Sequence, residues 1–459
     1  MPHGHFSSRS LLMDLYELTM AASYFEHRED SLASFELFIR KLPARRSFFL
    51  ALGIHDAIDF LHEFRFKEEE IDYLKGLNIF ADDFLQFLST LRFHGNLWAV
   101  PEGTVVFPNE PILRVVAPII EAQIFESIFL NLINVQTTIG TKAARAVLAA
   151  RDKSLFDFSL RRTHGLDAAL KAARASYVAG FHGTSNLLAG KLYGIPVVGT
   201  MAHSFIMSFN DELESFRAFV DTFPKYSTLL VDTYDSIQGV EHAIIIAHEL
   251  EKKGHSLRAI RIDSGNLART ASRARFLLDK AGLSYVKIFA SGNLDEYAID
   301  DLAGQKAPID SFGVGTKIGV SADAPYCDVI YKLTEITDIN GEFLPTMKLS
   351  EGKVTYPGRK QIYRVSDKQG SYKKDILGLE KEEIKGNALL VKMIDNGVII
   401  YNQPSLKQVR DSVRKNLSRL PKALKRLKNA KRYQVEISPE LKYLTRQVSQ
   451  KIKDRLEKY

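Results

Sequence analysis

The middle of the chain alternates short apolar runs with longer stretches whose apolar residues recur at helical spacing. Six runs of four to six residues are typical of buried strands: 155–158, 196–199, 228–231, 259–262, 286–290 and 309–314. Helical patterns separate most of these runs, at 166–179, 236–252, 266–281 and 294–303. Such alternation predicts βα units with parallel strand pairing, and the number of units favours a barrel over an open sheet.

The two flanking parts of the chain have a mixed, less regular pattern. Their predicted elements are helices at 17–25, 54–64 and 84–91, a strand at 35–39, short strands between 97 and 116, a helical stretch at 119–148 with a break near Asn134, and a strand pair near 388–401. We therefore divide the chain into an N-terminal α+β domain (1–134), an α/β barrel with the active-site loops (135–344) and a C-terminal segment (345–459) that packs on the N-terminal domain.

Composition indicates a globular enzyme. The 459 residues are 45% hydrophobic and 25% charged, and no apolar run approaches the roughly 18 residues that span a bilayer. Asp14 and Glu17 interrupt the first apolar stretch, so it is unlike a secretory signal. The single cysteine, Cys327, excludes an internal disulfide and a cysteine-based metal cluster. We expect a cytoplasmic protein with no membrane partner.

Charge changes this picture only at the C-terminus. Residues 405–459 hold 17 Lys or Arg against 5 Asp or Glu, a net charge of +12, whereas the whole chain carries +7. A basic tail can bind nucleic acid or an acidic surface. Apolar residues recur at helical spacing through it, at Leu417, Leu420, Leu424 and Leu427, which favours a helix with a solvated basic face.

Polar and glycine-rich turns follow most of the predicted strands. In an α/β barrel the chemistry lies on the loops after the carboxyl ends of the strands, so these turns form the candidate site. The turns ASGN (290–293) and GVGT (313–316) can cradle phosphate with their backbone N–H groups. For either turn alone, glycine that merely permits a tight turn is the simpler interpretation.

Charged residues flank the same turns. Arg161 and Arg162 follow the first run, and Arg261 and Asp263 face the same way because alternate strand residues share a side. An arginine at such a position can hold phosphate or carboxylate, and an acid can bind ribose hydroxyls or Mg²⁺. Surface ion pairs and a structural Arg–Asp pair are the competing interpretations.

His203 follows the run PVVG in the turn GTMAHS. No second histidine or acid stands at metal-ligand spacing, which excludes zinc and leaves a proton carrier or a nucleophile. Tyr16 and Phe158 are able to stack on a flat ring, although the default interpretation is core packing for Phe158 and helix-face packing for Tyr16.

Taken in order, these segments resemble the nicotinate phosphoribosyltransferase family along most of the chain. The matching motifs are MDLYELTMAASYF, FELFIRKLP, FSLRRTHGLDAALKAARASYVAGFHGTSNLLAGKLYGIPVVGTMAHS, VDTYDS, RIDSGNL, SGNLDE, FGVGT, YKL and KLSEGKVTYPGRKQIYR. The resemblance implies the irregular (β/α) barrel of the type II phosphoribosyltransferases, with a second α+β domain built from the N- and C-terminal parts. It implies that nicotinate and phosphoribosyl pyrophosphate are converted to nicotinate mononucleotide, with ATP as co-substrate and Mg²⁺ as cofactor, in a homodimer with shared active sites.

The resemblance also implies roles for individual residues. Three would act in the reaction: Arg261 against nicotinate, Asp263 near the ribose, and His203 as the histidine that ATP phosphorylates. Tyr16 would reach the site of the partner subunit and cover the pyridine ring, and Phe158 would stack on the opposite face. The other implied substrate-binding residues are Arg161, Ser185, Thr200, Gly292, Asn293, Gly315 and Thr316.

Two positions bear on which pyridine is used. In the sister family, the nicotinamide phosphoribosyltransferases, an aspartate stands where this chain has Ser185, and a carboxylate there would repel that of nicotinate. Ser185 therefore favours the acid. Asn266 indicates the opposite, because nicotinate enzymes often read DSGD where this chain has DSGN. Nicotinamide is the alternative substrate.

Two other classes of protein compete with this interpretation. A sugar-phosphate aldolase would need a Schiff-base lysine at a strand end, for which Lys287 is the candidate. A nucleic-acid-binding protein would use the basic tail, but Tyr433 and Tyr443 are too sparse to interleave with its cations. Neither class explains the ordered motifs, so we expect no nucleic-acid partner.

Overall fold

A computed structural model describes residues 9–28, 31–350 and 355–457, which form two compact units. Unit 1 contains the chain up to Thr138 and again from Tyr326, and unit 2 is Ile139–Pro325. Within the motif KLSEGKVTYPGRKQIYR, residues 351–354 lie outside the described residues.

Unit 2 is built on six parallel strands in a sheet that curls into a half-barrel. In spatial order these are Gly183–Thr184, Ser154–Asp157, Ser311–Val314, Lys287–Ala290, Ala259–Ile262 and Thr228–Leu230. Their aliphatic residues, such as Leu155, Ile260 and Ile288, are almost completely buried. Continuous apolar runs suit a parallel sheet, because helices cover the faces of such a sheet and remove its side chains from water. The predicted α/β barrel class is confirmed.

Five of the six predicted runs contain a strand of this sheet. The run 196–199 contributes only an isolated parallel bridge between Val197 and Thr184. The strand Gly183–Thr184 was not predicted, because two residues, one of them glycine, make no apolar run.

Helices follow the strands of unit 2. They are Leu166–Ala179, Leu187–Tyr193, His203–Met207, Glu212–Thr222, Ser236–Lys252, Leu267–Lys280, Glu296–Gly304 and Thr316–Gly319, with a 3-10 turn at Pro224–Tyr226. Five of them begin at a side-chain cap that accepts hydrogen bonds from backbone N–H groups of the first turn, namely Asn186, Asp211, Asp235, Asn266 and Asp295. Part of the polar character of the strand-end turns is therefore helix capping.

Unit 1 contains two sheets and a short strand pair. The larger sheet has the spatial order Phe343–Pro345, Val329–Thr337, Leu32–Ile39, Pro111–Pro118, Asn96–Ala99, Val391–Asp395 and Val398–Ile399. The smaller sheet has the order Asn387–Ala388, Lys360–Ser366, Tyr372–Leu379 and Val435–Ile437, and Phe49–Leu50 pairs with Val105–Val106.

The helices of unit 1 are Leu15–His27, Ile54–Glu63, Glu68–Gly76, Asp82–Thr90, Ile119–Gln123, Leu406–Arg419 and Pro439–Leu456, with a 3-10 turn at Arg9–Leu11. The helix Glu126–Ala150 begins in unit 1 and ends in unit 2. None of the helices in the described ranges is long and apolar enough to cross a membrane.

The strand Val329–Thr337 links the C-terminal part of unit 1 to its N-terminal part. It pairs antiparallel with Leu32–Ile39, and the rings of Phe35 and Tyr331 stack at 5.0 Å. Residues 326–344, assigned to the barrel in the sequence analysis, therefore belong to unit 1.

Two further details of the predicted secondary structure are wrong. The break in the helical stretch 119–148 falls at 124–125, whereas Asn134 continues the helix and accepts the Cys327 N–H at 3.0 Å. In the tail, the helix Leu406–Arg419 ends before Pro421, whose ring cannot continue a helix. Leu420, Leu424 and Leu427 are buried, as the pattern indicated, but outside a helix.

Candidate active site

Arg261 is the centre of a polar network at the carboxyl end of the strand Ala259–Ile262. Its Nε donates to Ser291 Oγ at 2.8 Å, and its Nη2 donates to Asp263 Oδ1 at 2.7 Å. Its Nη1 donates to Thr200 Oγ1 at 3.1 Å, and Cζ lies 5.6 Å from the centre of the Phe158 ring. These contacts orient the guanidinium, while 13% of the side chain stays exposed to receive an anion.

Asp263 is held in its ionised form. Its Oδ1 also accepts a hydrogen bond from Ser291 Oγ at 2.5 Å. Burial alone would raise the pKa of Asp263, but the hydrogen bonds from Ser291 and Arg261 and the charge of Arg261 outweigh it and lower the pKa below its ordinary value. The charge of His203 acts in the same direction. The Asp263 carboxylate therefore remains charged at neutral pH.

Asp232 supports Asp263 from the neighbouring strand end. Its Oδ2 accepts hydrogen bonds from the Asp263 N–H at 2.9 Å and from Ser264 Oγ at 2.6 Å. Its second oxygen, Oδ1, is buried and has no hydrogen-bond partner within the described part of the chain. A buried carboxylate oxygen without a donor is costly and suits a site that receives a cation.

Gly292 is required by a close approach of two strand-end turns. A Cβ at this position would lie 1.8 Å from the carbonyl oxygen of Asp263, and the φ of Gly292 is +93°. Any other residue would collide with the Asp263 backbone and would also be strained. The next residue, Asn293, has a φ of 49° and an exposed side chain. Gly292 in the turn ASGN thus permits the two strand-end turns to lie in contact.

The GVGT turn packs against Phe158. A Cβ at Gly313 would lie 2.7 Å from the Phe158 ring, and a Cβ at Gly315 would lie 2.9 Å from the Phe158 carbonyl oxygen. Thr316, which is exposed, begins the following short helix. The glycines therefore have a packing function, and the phosphoribosyl contacts of Gly292, Asn293, Gly315 and Thr316 stay predictions.

A cavity of about 310 Å³ opens beside Arg261. Its lining contains Phe158, Arg161, Ser185, Thr200 and Arg261, and the remaining lining residues are Leu160, Gly199, Met201 and Ala202. The lining carries two cations and no carboxylate, and one wall is aromatic. This combination favours a small, flat, anionic ligand. Five of the predicted substrate-binding or catalytic residues therefore meet at one cavity.

Asp157 positions two loops of this cavity. Its carboxylate accepts hydrogen bonds from Thr184 Oγ1 at 2.7 Å and from the Ser159 N–H at 3.0 Å. Its carbonyl oxygen accepts the Ser185 N–H at 2.9 Å. Burial raises the pKa of Asp157, although the hydrogen bonds from Ser159 and Thr184 oppose the shift. One buried side chain thereby ties the loop after Phe158 to the loop that carries Ser185.

His203 is the first residue of the short helix His203–Met207. Its Nδ1 lies 3.1 Å from Thr233 Oγ1, which orients the ring. The side chain is partly exposed, and its effect on the pKa of Asp263 places it within electrostatic range of the Arg261 network. The arrangement leaves an oriented imidazole beside the cavity, as phosphoryl acceptance would require.

Tyr16 lies in unit 1, on the helix Leu15–His27, and is 44% exposed. Burial and the negative charge of Glu126 raise the pKa of Tyr16 to about 12, so its phenol stays protonated. The other predicted site residues lie in unit 2.

Sequence reasoning missed several residues of the network. Asp232, Thr233 and Ser291 contact Asp263, His203 and Arg261 respectively, but none was singled out. They lie in the motifs VDTYDS and ASGN, so their position after strands was the available signal. Lys287, the candidate aldolase lysine, is the first residue of its strand and faces Asp310 at 3.3 Å. It therefore lies at the amino end of the strand, away from these turns.

The donor set fits a weakly liganded Mg²⁺ better than a protein-caged metal. Within the described residues, no group of three or more His, Cys, Asp or Glu side chains is placed to hold an ion. Mg²⁺ commonly takes one or two carboxylates and completes its shell with waters and substrate phosphates. Asp263 and Asp232, with its unpartnered Oδ1, are such a pair.

The half-barrel and its strand-end cavity define an α/β-barrel enzyme with a site for an anionic substrate. Family models match three parts of the chain: the N-terminal domain of nicotinate phosphoribosyltransferase at 11–134, the family itself at 153–349, and its C-terminal domain at 384–445. The chain belongs to the nicotinate phosphoribosyltransferase family and is an enzyme.

Individual relatives agree with this assignment. Nicotinate phosphoribosyltransferase pncB2 of Mycobacterium tuberculosis is 48% identical over 92% of this chain and 89% of its own length. The Bacillus subtilis nicotinate phosphoribosyltransferase is 36% identical over 98% of this chain and 97% of its own. A crystal structure of human nicotinic acid phosphoribosyltransferase superimposes with a TM-score of 0.85 at 29% identity, covering 95% of this chain and 100% of that one.

Proposed function

We propose that this chain transfers the phosphoribosyl group of phosphoribosyl pyrophosphate to nicotinate, the first step in the salvage of nicotinate to NAD. The observation that carries the proposal is Arg261, an oriented cation in a cavity whose lining has no carboxylate. The nicotinate carboxylate would accept hydrogen bonds from Arg261 and Thr200, and its ring would lie against Phe158. Arg161, on the rim of the same cavity, would hold phosphate.

In the proposed reaction the lone pair of the pyridine nitrogen forms a bond to C1 of the ribose. The bond from C1 to the pyrophosphate oxygen breaks, and its electron pair leaves with pyrophosphate. No proton has to move, so the side chains bind and orient the reactants instead of acting as a general base. Asp263 would hold the ribose while positive charge develops at C1, because an ionised carboxylate stabilises a nearby cation.

Mg²⁺ is the proposed cofactor, held by Asp263 and Asp232 together with the substrate phosphates. When bound, it would neutralise charge on the leaving pyrophosphate. Removing divalent ions with a chelator should abolish turnover, and added Mg²⁺ should restore it. Full activity in the chelator would contradict this assignment.

Ser185 supports nicotinate over nicotinamide, because it contributes a neutral side chain to the cavity. Asn266, which suggested nicotinamide, caps the helix Leu267–Lys280 by accepting the Arg269 N–H at 3.1 Å. An aspartate would cap this helix equally well, so Asn266 offers no independent support for the amide.

The direct test supplies nicotinate, nicotinamide and quinolinate in parallel to the purified protein with phosphoribosyl pyrophosphate. We expect kcat/KM for nicotinate to exceed that for either other pyridine by more than tenfold. Equal turnover of nicotinate and nicotinamide would contradict the proposal.

We also propose that ATP phosphorylates His203 and that the phosphate stimulates the synthesis. The ring nitrogen would take the γ-phosphoryl group, with ADP leaving, and water would later release phosphate. The added negative charge would reorganise Arg261 and its neighbours. The support is the oriented imidazole within range of Asp263.

Incubation with γ-labelled ATP should leave an acid-labile, base-stable label on the protein. His203→Ala should abolish the label and the ATP stimulation while some ATP-independent synthesis persists. His248→Ala, which alters an exposed histidine paired with Glu251, is the matched control and should keep both. Label retained by His203→Ala would show that another residue is modified.

A homodimer with shared active sites is the proposed assembly, in which Tyr16 covers the pyridine bound by the partner subunit. The support is the 44% exposure of the Tyr16 side chain. Mixing Tyr16→Ala protomers with Arg261→Ala protomers should restore part of the activity, because one of the two sites in a heterodimer would be intact. Verified heterodimers without recovery would show that each site is built by one chain.

The cytoplasm is the proposed compartment, because the one cysteine, Cys327, is a free buried thiol. Cell fractionation with a specific antibody should recover the protein with cytoplasmic markers. Recovery with secreted material would contradict the assignment.

A further inference from the structure

The basic tail forms one wall of a second cavity, which lies within unit 1. This cavity of about 590 Å³ lies between the helix Leu406–Arg419 and the strands Lys360–Ser366 and Tyr372–Leu379. Its lining includes Arg364, Lys415 and Arg419 but no aspartate or glutamate. The catalytic scheme above uses none of the residues that line it.

Arg419 lies at this cavity without a carboxylate partner. Its Nε donates to the Gly370 carbonyl at 2.7 Å, and its Nη2 donates to Ser366 Oγ at 3.0 Å. Both acceptors are neutral, and no ion pair involves Arg419 within residues 9–28, 31–350 and 355–457. The guanidinium is thus held in position with its positive charge uncompensated. Lys415, one helical turn earlier, adds an exposed ammonium on the same face.

The neighbouring acidic residues do not cancel this charge. Asp375 is fully buried and is occupied by Arg364, whose Nε and Nη2 donate to both carboxylate oxygens. Burial and the charge of Asp375 raise the pKa of Glu110 well above its ordinary value, which keeps that carboxyl neutral. The cavity therefore retains the positive charge of Arg419 and Lys415.

Tyr372 and Asn416 fix the positions of neighbouring groups that line the cavity. The guanidinium carbons of Arg364 and Arg419 lie 4.5 Å and 4.8 Å from the centre of the Tyr372 ring. The Tyr372 hydroxyl donates to Asn416 Oδ1 at 2.8 Å, and Asn416 Nδ2 donates to the Gly103 carbonyl at 2.8 Å. The guanidinium groups of Arg364 and Arg419 are therefore preorganised, which reduces the entropy cost of binding an anion.

We propose that this cavity binds a small organic phosphate, such as a nucleoside monophosphate. Arg419 and Lys415 receive the phosphoryl oxygens, since both are cationic donors without an acidic partner among the residues that the structure describes. Leu389, Val391 and Pro101 line the same cavity and provide an apolar surface for the organic part. The volume exceeds what a bare phosphate ion fills, so the site suits an ester better than the inorganic ion.

Equilibrium dialysis with labelled adenosine monophosphate compares two double variants of equal charge loss. Lys415→Gln with Arg419→Gln removes the cations of the cavity, whereas Lys407→Gln with Arg426→Gln removes two exposed cations of the tail that do not line it. Any nucleotide bound in unit 2 contributes equally to both. We expect the first variant to lose one class of site, with affinity falling by roughly tenfold or more, and the second to bind as the unaltered protein does.

Equal binding by the two variants would overturn the proposal. Adenosine binding as tightly as its monophosphate would also overturn it, because the phosphate would then contribute nothing. Inorganic phosphate binding as tightly as the monophosphate would replace it with an inorganic anion site.

If the first variant does not fold, hydrogen exchange of the unaltered protein tests the proposed phosphate site instead. Adenosine monophosphate, but not adenosine, should slow amide exchange in the segments 366–372 and 412–419. Absence of this protection at saturating monophosphate would overturn the proposal.

Discussion

Each unit contains a close Arg–Asp pair, and the pairs differ in whether the arginine can still bind a ligand. In unit 1, Arg364 and Asp375 face each other across two strands, with 4% and 0% of their side chains exposed. Both carboxylate oxygens are occupied by the arginine. In unit 2, Arg261 distributes its hydrogen bonds among Ser291, Thr200 and Asp263 beside an open cavity.

The comparison shows that residue type alone does not distinguish a structural ion pair from a binding site. A buried, mutually saturated pair cannot exchange its partners, because an unpaired charge in the interior is very costly. Arg261 has several neutral acceptors and partial exposure, so a substrate carboxylate can replace one of them at little cost. The difference lies in the surroundings of the arginine, and it predicts opposite consequences of mutation.

Arg364→Ala should have the largest effect on stability. It would leave Asp375 buried without a cation, and the free energy of unfolding should fall by about 3–5 kcal/mol. Arg217→Ala breaks an exposed pair with Glu249, which solvent screens, and should have a much smaller effect. Denaturant unfolding measures both, and similar losses in the two variants would remove the distinction between buried and exposed pairs.

Gly292→Ala tests whether the turns of unit 2 depend on close backbone contact. Its Cβ would overlap the Asp263 carbonyl oxygen, and the positive φ adds strain, so we expect a loss of at least about 2 kcal/mol together with loss of activity. Gly304→Ala is the control, because nothing lies within 4 Å of its Cβ and its φ is not positive. That variant should be stabilised by about 0.4–1 kcal/mol. Equal behaviour of the two alanine variants would refute the packing argument.

The sequence predicted four of the helices of unit 2 well, because their periodicity reflects burial on one side, but it missed Glu212–Thr222 and the short helices. Leu166–Ala179 and Ser236–Lys252 have the predicted bounds. The predicted break at Asn134 was wrong, because Asn134 continues the helix and its side chain accepts the N–H of the sequence-distant Cys327. The predicted continuation of the tail helix was wrong, because Pro421 follows its end despite the leucine spacing.

The candidate site could be predicted from the sequence only in part. Arg261 and Asp263 could be paired from strand alternation, since Asp263 directly follows the strand that contains Arg261. The contacts of Arg261 with Thr200 and Ser291 join the ends of two strands to the turn after Gly199, and only the curl of the sheet brings these segments together. The need for Gly292 also depends on an approach of two turns, which no local pattern records.

Glu17 extends the comparison to a buried carboxylate whose nearby charges, those of Glu126 and Asp14, are negative. Burial raises its pKa from 4.5 to about 7, although hydrogen bonds from Ser127 oppose the shift. The stabilising contribution of the protonated form is complete below pH 4.5 and is lost as the pH rises through 7. Thermal unfolding should therefore show that Tm of the unaltered protein falls relative to Glu17→Gln over this range, by on the order of a few degrees. A Tm difference that is independent of pH would contradict the shift.

The kinetics of Arg261→Ala test most directly the claim that this arginine is the carboxylate receptor. Loss of a charge-assisted contact is worth about 1.5–3 kcal/mol, so KM for nicotinate should rise roughly 10–100-fold. KM for phosphoribosyl pyrophosphate should change much less, and Tm should fall less than in Arg364→Ala. Arg261→Lys, which keeps the charge but not the fork of donors, should recover part of the loss. A KM for nicotinate that is unchanged in Arg261→Ala would contradict the account.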